Sequence, residues 1–103
     1  MSKTYFTDYV RHALRFYSRN NSTETEHPVF KTEVDKKNWY ACYNALKGYS
    51  DGDKKILMSV YMGYNTLADE VYNTANNFQI HQNQIWDMMK ELERKVAKRR
   101  GLL

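Results

Sequence analysis

The sequence predicts an all-α fold of four to five helices that ends in a helix-turn-helix. The 103 residues contain only four glycines and one proline, so few positions break a helix. Apolar residues recur at intervals of three and four, and no segment alternates with the period of two that a half-buried strand shows. A hydrophobic content of 42% with 15% aromatic residues predicts a folded chain, and the length suits one domain with one modest core.

The first predicted helix spans roughly Lys3–Tyr17. Its apolar stripe consists of Phe6, Val10, Ala13, Leu14 and Tyr17. Residues 19–31 then form a polar linker that contains the only proline, Pro28, and has no apolar periodicity. We expect this linker to be flexible and to let the N-terminal helix, residues 1–18, dock variably or on a partner. Residues 32–103 complete the single helical domain 1–103.

Three later helices begin with the same local pattern, a hydroxyl side chain three residues before an aspartate. The pairs are Thr32 with Asp35, Ser50 with Asp53, and Thr66 with Asp69. A hydroxyl at this position accepts a hydrogen bond from the backbone of the first turn, as in a capping box. The pattern therefore predicts the starts of the second, third and fourth helices. We expect the second to run to about Lys47 and the third from about Gly52 to Gly63.

Each of these helices, and a fifth, carries an apolar stripe at helical spacing. The stripes consist of Trp39, Cys42, Tyr43 and Leu46 in the second helix, Ile56, Leu57, Val60 and Tyr61 in the third, Leu67, Val71, Ala75 and Phe78 in the fourth, and Ile85, Met88, Met89, Leu92 and Val96 in the fifth. We expect these side chains to form the core, with Cys42 as a buried structural thiol.

The segment between the last two helices has the pattern of a helix-turn-helix. A small residue, Ala75, lets the helices approach closely, and an apolar residue three positions later, Phe78, closes the first helix. Ile80 fills the turn, and Ile85 packs back from the second helix. The same periodicity also occurs in ordinary helical hairpins.

Positive charge is concentrated near the last helix. The chain carries a formal net charge of +4, and residues 85–103, with six basic and three acidic residues, carry +3 of it. One interpretation is a surface that faces nucleic-acid phosphates. The other is that cations favour the C-terminal end of a helix, where the helix dipole is negative.

The stretch from about Asn38 to Arg100 resembles region four of sigma factors of the sigma-70 family. The family's pattern around its helix-turn-helix is Ile/Leu-Ala-x-x-Leu-Gly-Ile-Ser with an aliphatic residue four positions later, and this chain has Thr74 to His81 followed by Ile85. Small sigma-like proteins of phages and mobile elements share the layout. The resemblance implies DNA binding in transcription control, with RNA polymerase as a partner. It leaves no room for the region that grips core polymerase, so we do not expect a complete sigma factor.

Two positions depart from that family pattern. Gln79 stands in place of the turn glycine, and we therefore expect the chain to avoid left-handed geometry there. His81 stands in place of the serine that caps the recognition helix, and histidine is a poorer cap. The fourth helix is also expected to be about one turn longer than in the family.

The start of the fifth helix holds the candidate base-reading residues Gln82, Asn83 and Gln84, with Asp87 near the base edges. Asparagine and glutamine can bond adenine through two groups at once, although a solvated helix start is equally rich in them. Trp86 is expected to pack in the core. The candidate contacts to phosphates, or to a protein partner, are Lys90, Arg94, Lys98, Arg99 and Arg100.

No residue pattern points to catalysis, so we expect a protein that is not an enzyme. His12, His27 and His81 are far apart and have no partner at ligand spacing, so we expect no metal and no cofactor. There is no phosphate-binding glycine loop. A single cysteine excludes an internal disulfide, and no secretory signal or membrane-spanning run is visible, so a cytoplasmic location is expected.

These observations predict a transcription regulator that binds double-stranded DNA with its last helix in the major groove. The alternative is a helical protein-interaction module, such as an adaptor or a phage-type modulator, that does not bind DNA. The charge on the exposed face of the last helix separates the two. If Asp87, Glu91 and Glu93 all lie on that face, DNA affinity suffers.

Overall fold

The computed structural model describes residues 6–20 and 30–103, and within these ranges it contains five helices and no strand. The helices are α1 (Thr7–Asn20), α2 (Glu33–Leu46), α3 (Asp51–Met62), α4 (Leu67–Phe78) and α5 (Gln82–Arg99). The all-α prediction is therefore confirmed. Residues 3–5 of the first predicted helix and residues 21–29 of the predicted linker lie outside the described residues.

The three predicted hydroxyl caps are present. The side chains of Thr32, Ser50 and Thr66 accept hydrogen bonds of 3.0, 3.2 and 3.2 Å from the backbone N–H groups of Asp35, Asp53 and Asp69. Each cap satisfies a first-turn N–H group that has no partner within its helix. The aspartates also place negative charge at the positive end of the helix dipole. These local interactions fix where α2, α3 and α4 begin.

Helix α1 packs against α2, α3 and α5. Its predicted stripe is buried, and Val10 and Leu14 are almost completely enclosed. In this structure the apolar face of α1 forms part of the core, and variable docking of the helix stays a prediction. The start of the predicted linker is helical, because Arg19 and Asn20 belong to α1.

Two arginines of α1 bind the chain where α3 ends. Arg15 donates to the carbonyl oxygens of Gly63 (2.6 Å) and Asn65 (3.1 Å). Arg19 donates to the carbonyl oxygen of Gly63 at 2.8 Å, and its guanidinium lies over the ring of Tyr64. The last carbonyl groups of a helix lack partners within it and form the negative end of its dipole, so these cations stabilise the end of α3.

Most of the remaining predicted core is buried, but two aromatic side chains are not. Phe78 is 40% exposed and Tyr43 is 39% exposed. Phe78 is the last residue of α4, beyond the part of the helix that packs on its neighbours, and Ile80 covers that end of the core instead. Leu67 and Met88 are half-buried at the rim. No helix in the described ranges is both long and apolar enough to cross a membrane.

Candidate nucleic-acid interface

The connection between α4 and α5 is a tight turn of three residues, Gln79 to His81. Gln79 adopts a left-handed conformation with φ 55° and ψ 47°, so the expectation that glutamine would avoid this geometry is wrong. The backbone N–H groups of Gln79 and Ile80 both donate to the carbonyl oxygen of Ala75, the latter at 3.0 Å. This arrangement closes the end of α4 and offsets the steric cost of a left-handed residue with a side chain.

Three of the four apolar positions of the predicted motif face the core. Ala75 is 5% exposed, Ile85 is fully buried, and Ile80 packs against the core from the turn. Phe78, the fourth, points to solvent at the end of α4.

Gln84 is engaged in capping its own helix. Its side-chain oxygen accepts a 3.2 Å hydrogen bond from the backbone N–H of His81, the residue that precedes α5. This bond satisfies an N–H group at a helix start whose cap residue is a histidine. Gln82 and Asn83 are exposed, and within the described part of the chain no hydrogen bond uses their side chains. Both amides are available to a ligand at this end.

Acidic residues flank the start of α5. Asp87 is exposed, and together with Asp53 of α3 and Gln84 it lines a shallow depression. Farther along the helix, Lys90, Arg94 and Lys98 are exposed at intervals of four, and no ion pair involves them among the described residues. Residues at this spacing share one face of a helix.

The two other acidic residues of α5 are already bonded within the protein. Glu93 is only 6% exposed and accepts bonds from Arg11 of α1 and Tyr61 of α3. Glu91 is exposed, accepts a 2.8 Å bond from the Tyr49 hydroxyl and lies 3.5 Å from Lys95. The Tyr49 bond, with Lys95, lowers the pKa of Glu91. The exposed face of α5 therefore carries two negative charges, at Asp87 and Glu91, among its positive ones. The third acidic residue, Glu93, is buried and does not contribute to that face.

At the far end of α5, Arg99 is exposed but Arg100 is tied to other helices. The Arg100 guanidinium donates to Asn38 of α2 at 2.6 Å and to the Tyr9 hydroxyl of α1 at 3.4 Å. The bond from Arg100 lowers the pKa of Tyr9. Arg100 therefore anchors the end of α5, and Arg99 lies roughly 25 Å from Gln82 at 1.5 Å per residue. The predicted site residues therefore extend along the whole length of α5 and do not cluster at one end.

Sequence reasoning missed the contribution of α2. Lys36, Lys37 and Lys47 line grooves between α2 and α5 together with Lys98 and Arg99. The adjacent lysines on an amphipathic helix were a visible signal, but their position beside α5 depends on how the helices pack. Within the described residues, no three His, Cys, Asp or Glu side chains are grouped as a metal site would require. Burial raises the pKa of Cys42 to about 12, which leaves an unreactive thiol at neutral pH.

Comparisons of the chain with protein-family models, with curated proteins and with solved structures give no match.

Proposed function

We propose that the protein binds double-stranded DNA in a sequence-specific manner and acts in transcription control as a sigma-region-four-like regulator. One observation carries the proposal. Gln82 and Asn83 present two exposed amides at the start of α5, directly after a tight turn, and the same helix continues with exposed lysine and arginine. A helix that enters the major groove by its N-terminal end needs polar side chains there and cations beyond.

The proposed roles follow from which side chains are available. Gln82 and Asn83 read base edges, where an amide can bond adenine N6 and N7 together. Gln84 uses its oxygen to cap the helix, which holds the side chain against the helix start and leaves it less free to reach a base. Lys90, Arg94 and Lys98 contact phosphates. Asp87 lies among them and disfavours phosphate, which limits affinity for random DNA. RNA polymerase as a partner rests on the family resemblance alone.

The test is selection of preferred sites from a pool of random duplexes, followed by affinity measurements on selected and scrambled DNA. Gln82→Ala or Asn83→Ala is expected to weaken binding to the selected site by about 1–3 kcal/mol and to scrambled DNA much less. Asn73→Ala, at an exposed amide in the middle of α4, is the matched control and leaves both affinities unchanged. Failure of the unaltered protein to bind any duplex at low salt would refute the proposal.

A second candidate function is a helical protein-interaction module. The observation that favours it is an aromatic surface on α2: Tyr40 is 45% exposed, and Tyr43 stacks on Trp39 with ring centroids 5.2 Å apart while remaining partly exposed. Clustered aromatic side chains are enriched at protein interfaces. Under this function, Tyr40→Ala abolishes partner capture, whereas Gln82→Ala has no effect.

A further inference from the structure

A groove between α2 and α5 gathers basic residues from both helices. The two helices run antiparallel, because Asn38 early in α2 bonds Arg100 at the end of α5, while Tyr49 just after α2 bonds Glu91 in the middle of α5. Residues that are far apart in the sequence therefore line the same surface.

The charge of this groove exceeds that of the whole protein. One of its lining residues, Glu33, is acidic, and seven are basic, so the groove carries a formal charge of +6. The basic residues are Lys36, Lys37, Lys47, Lys95, Lys98, Arg99 and Arg100. The chain has sixteen basic and twelve acidic residues, so the other nine basic and eleven acidic residues together carry −2. Its cationic character is thus a local property of the α2–α5 groove.

Several of these cations are available to a ligand. The groove is lined by Lys36, Lys37 and Lys47 from the α2 side and by Lys95, Lys98 and Arg99 from α5. Within the described residues, Lys36, Lys37, Lys98 and Arg99 are exposed and take part in no ion pair. Lys95 is partly neutralised by Glu91, and Lys47 lies over the Tyr43 ring.

Helix dipoles do not account for this arrangement. Cations are favoured near the C-terminal end of a helix, which explains Lys47 after α2 and Lys98 and Arg99 in the last turn of α5. Lys36 and Lys37, however, lie in the first half of α2, where the dipole gives a cation no favourable partner. Their placement beside Arg99 brings like charges together, which a bound polyanion would offset.

We propose that the α2–α5 groove binds the phosphate backbone of the DNA that the protein recognises. This inference rests on the proposed function and adds a second contact surface to it. Lys36 and Lys47 are separated by eleven residues, or about 16 Å along a helix axis, so the cations of the α2 side can contact more than one phosphate of a strand. Tyr40 and Asn44 lie in the same groove and offer neutral hydrogen-bond donors to phosphate oxygens.

The test compares two double substitutions that remove the same charge. Lys36→Gln with Lys37→Gln neutralises the groove, and Lys54→Gln with Lys55→Gln neutralises two adjacent lysines of α3 outside it. The groove variant is expected to weaken binding to selected and scrambled duplexes equally and to flatten the slope of log affinity against log salt by about two. The α3 variant leaves the slope near that of the unaltered protein. Equal slopes for the two variants would overturn the inference that the groove binds the phosphate backbone.

A titration with a selected duplex, followed residue by residue by NMR, separates failure of the groove from failure of the proposed function. If the resonances of Gln82 and Asn83 shift and those of Lys36, Lys37 and Arg99 do not, the groove does not contact the DNA. The proposed function would be unaffected by that result. If only the resonances of the groove residues shift, and the protein shows no preference for the selected sequence, the groove binds DNA. The proposal that α5 recognises bases would then be wrong.

Retention on heparin covers the remaining case, in which the unaltered protein binds no duplex. Loss of retention in the groove variant alone would then overturn DNA as the ligand and show that the groove binds another polyanion. Equal retention of both variants would show that the groove has no particular affinity for polyanions, and this would overturn the inference.

Discussion

The hydroxyl of Tyr61 donates a 2.6 Å hydrogen bond to the Glu93 carboxylate, and both side chains are buried. Arg11 donates to the same carboxylate oxygen at 2.9 Å. One buried anion thereby joins α1, α3 and α5. Burial and the neighbouring carboxylate raise the pKa of Tyr61, so its hydroxyl stays protonated and able to donate at neutral pH.

Removal of the Tyr61 hydroxyl tests this junction. Tyr61→Phe is expected to lower the free energy of unfolding by about 1.5–3 kcal/mol, because a hydrogen bond to a buried charged group is lost while the ring is kept. Urea denaturation measures the change. Tyr72→Phe, at an exposed tyrosine of α4, is the control and remains within about 0.5 kcal/mol of the parent. Equal stability of the two variants would contradict the role given to Tyr61.

Alkaline pH is expected to destabilise the protein. Burial raises the pKa of Cys42 from 9.0 to about 12 and that of Tyr17 from 10.0 to about 12. The unfolded chain therefore releases these protons first as pH rises, and it gains stability relative to the folded state. Stability is fully present below about pH 9 and falls progressively up to pH 12, as thermal melts at each pH would measure.

Single substitutions show how much of the stability lost at alkaline pH is due to Tyr17 and how much to Cys42. Tyr17→Phe is expected to reduce the slope of stability against pH between 10 and 12, while Cys42→Ala reduces it from pH 9 upward. The comparison uses slopes because either change also alters packing. Tyr64→Phe, at a tyrosine that is 83% exposed, is the control. A parent protein with constant stability from pH 8 to 12 would contradict the burial of both groups.

Arg15 is expected to stabilise the loop between α3 and α4. Arg15→Ala removes the bonds to the carbonyl groups of Gly63 and Asn65 and should cost about 1–2 kcal/mol. Arg15→Lys recovers only part of the loss, since an ammonium group lacks the planar fork that reaches both oxygens. Amide hydrogen exchange around Asn65 should accelerate in both variants. Arg94→Ala, which removes an exposed arginine, controls for lost charge.

The left-handed residue between α4 and α5 gives a prediction in which a substitution stabilises the protein. Gln79→Gly removes the clash that a Cβ makes at positive φ, and it should raise the free energy of unfolding by about 0.5–1 kcal/mol after the entropy of glycine is included. Gln79→Val should lower it, because a β-branched side chain fits this conformation poorly. A lower melting temperature for the glycine variant would contradict the left-handed conformation of Gln79.

Two apolar positions of the same region should respond very differently to substitution. Ala75→Leu places three extra carbons at a nearly closed site and should cost about 1–3 kcal/mol. Phe78→Ala should cost under about 1 kcal/mol because the ring is 40% exposed, whereas a buried phenylalanine would cost about 3–5 kcal/mol. Chemical denaturation of both variants distinguishes this arrangement from one in which Phe78 is enclosed.

The elements of the fold were predictable because they depend on neighbours in the sequence. Thr32, Ser50 and Thr66 bond backbone groups three residues away, so their capping patterns located the starts of α2, α3 and α4 correctly. The burial of α1 was not predictable in the same way. Its stripe was visible, but the polar residues after it concealed that Arg15 and Arg19 bind a loop more than forty residues away.

The candidate site was predicted less well, for a tertiary reason. A stripe of apolar residues shows which face of a helix is buried but not where the helix extends past its neighbours, and Phe78 lies at such an end. The engagement of Arg100 depends on Asn38, sixty-two positions earlier. The antiparallel pairing of α2 with α5, which brings Lys36 beside Arg99, is likewise invisible to periodicity.

The placement of α1 also has a consequence for the order in which the protein folds during synthesis. Arg11 leaves the ribosome early, but its partner Glu93 is made 82 residues later. A fourteen-residue helix is only marginally stable alone in water, so α1 gains lasting structure only as the helices that it packs on, α2, α3 and α5, emerge. Its apolar face is exposed throughout that interval and is open to chaperones or to aggregation. Completion of the core therefore awaits α5, whose Glu93 forms the buried contact with Arg11.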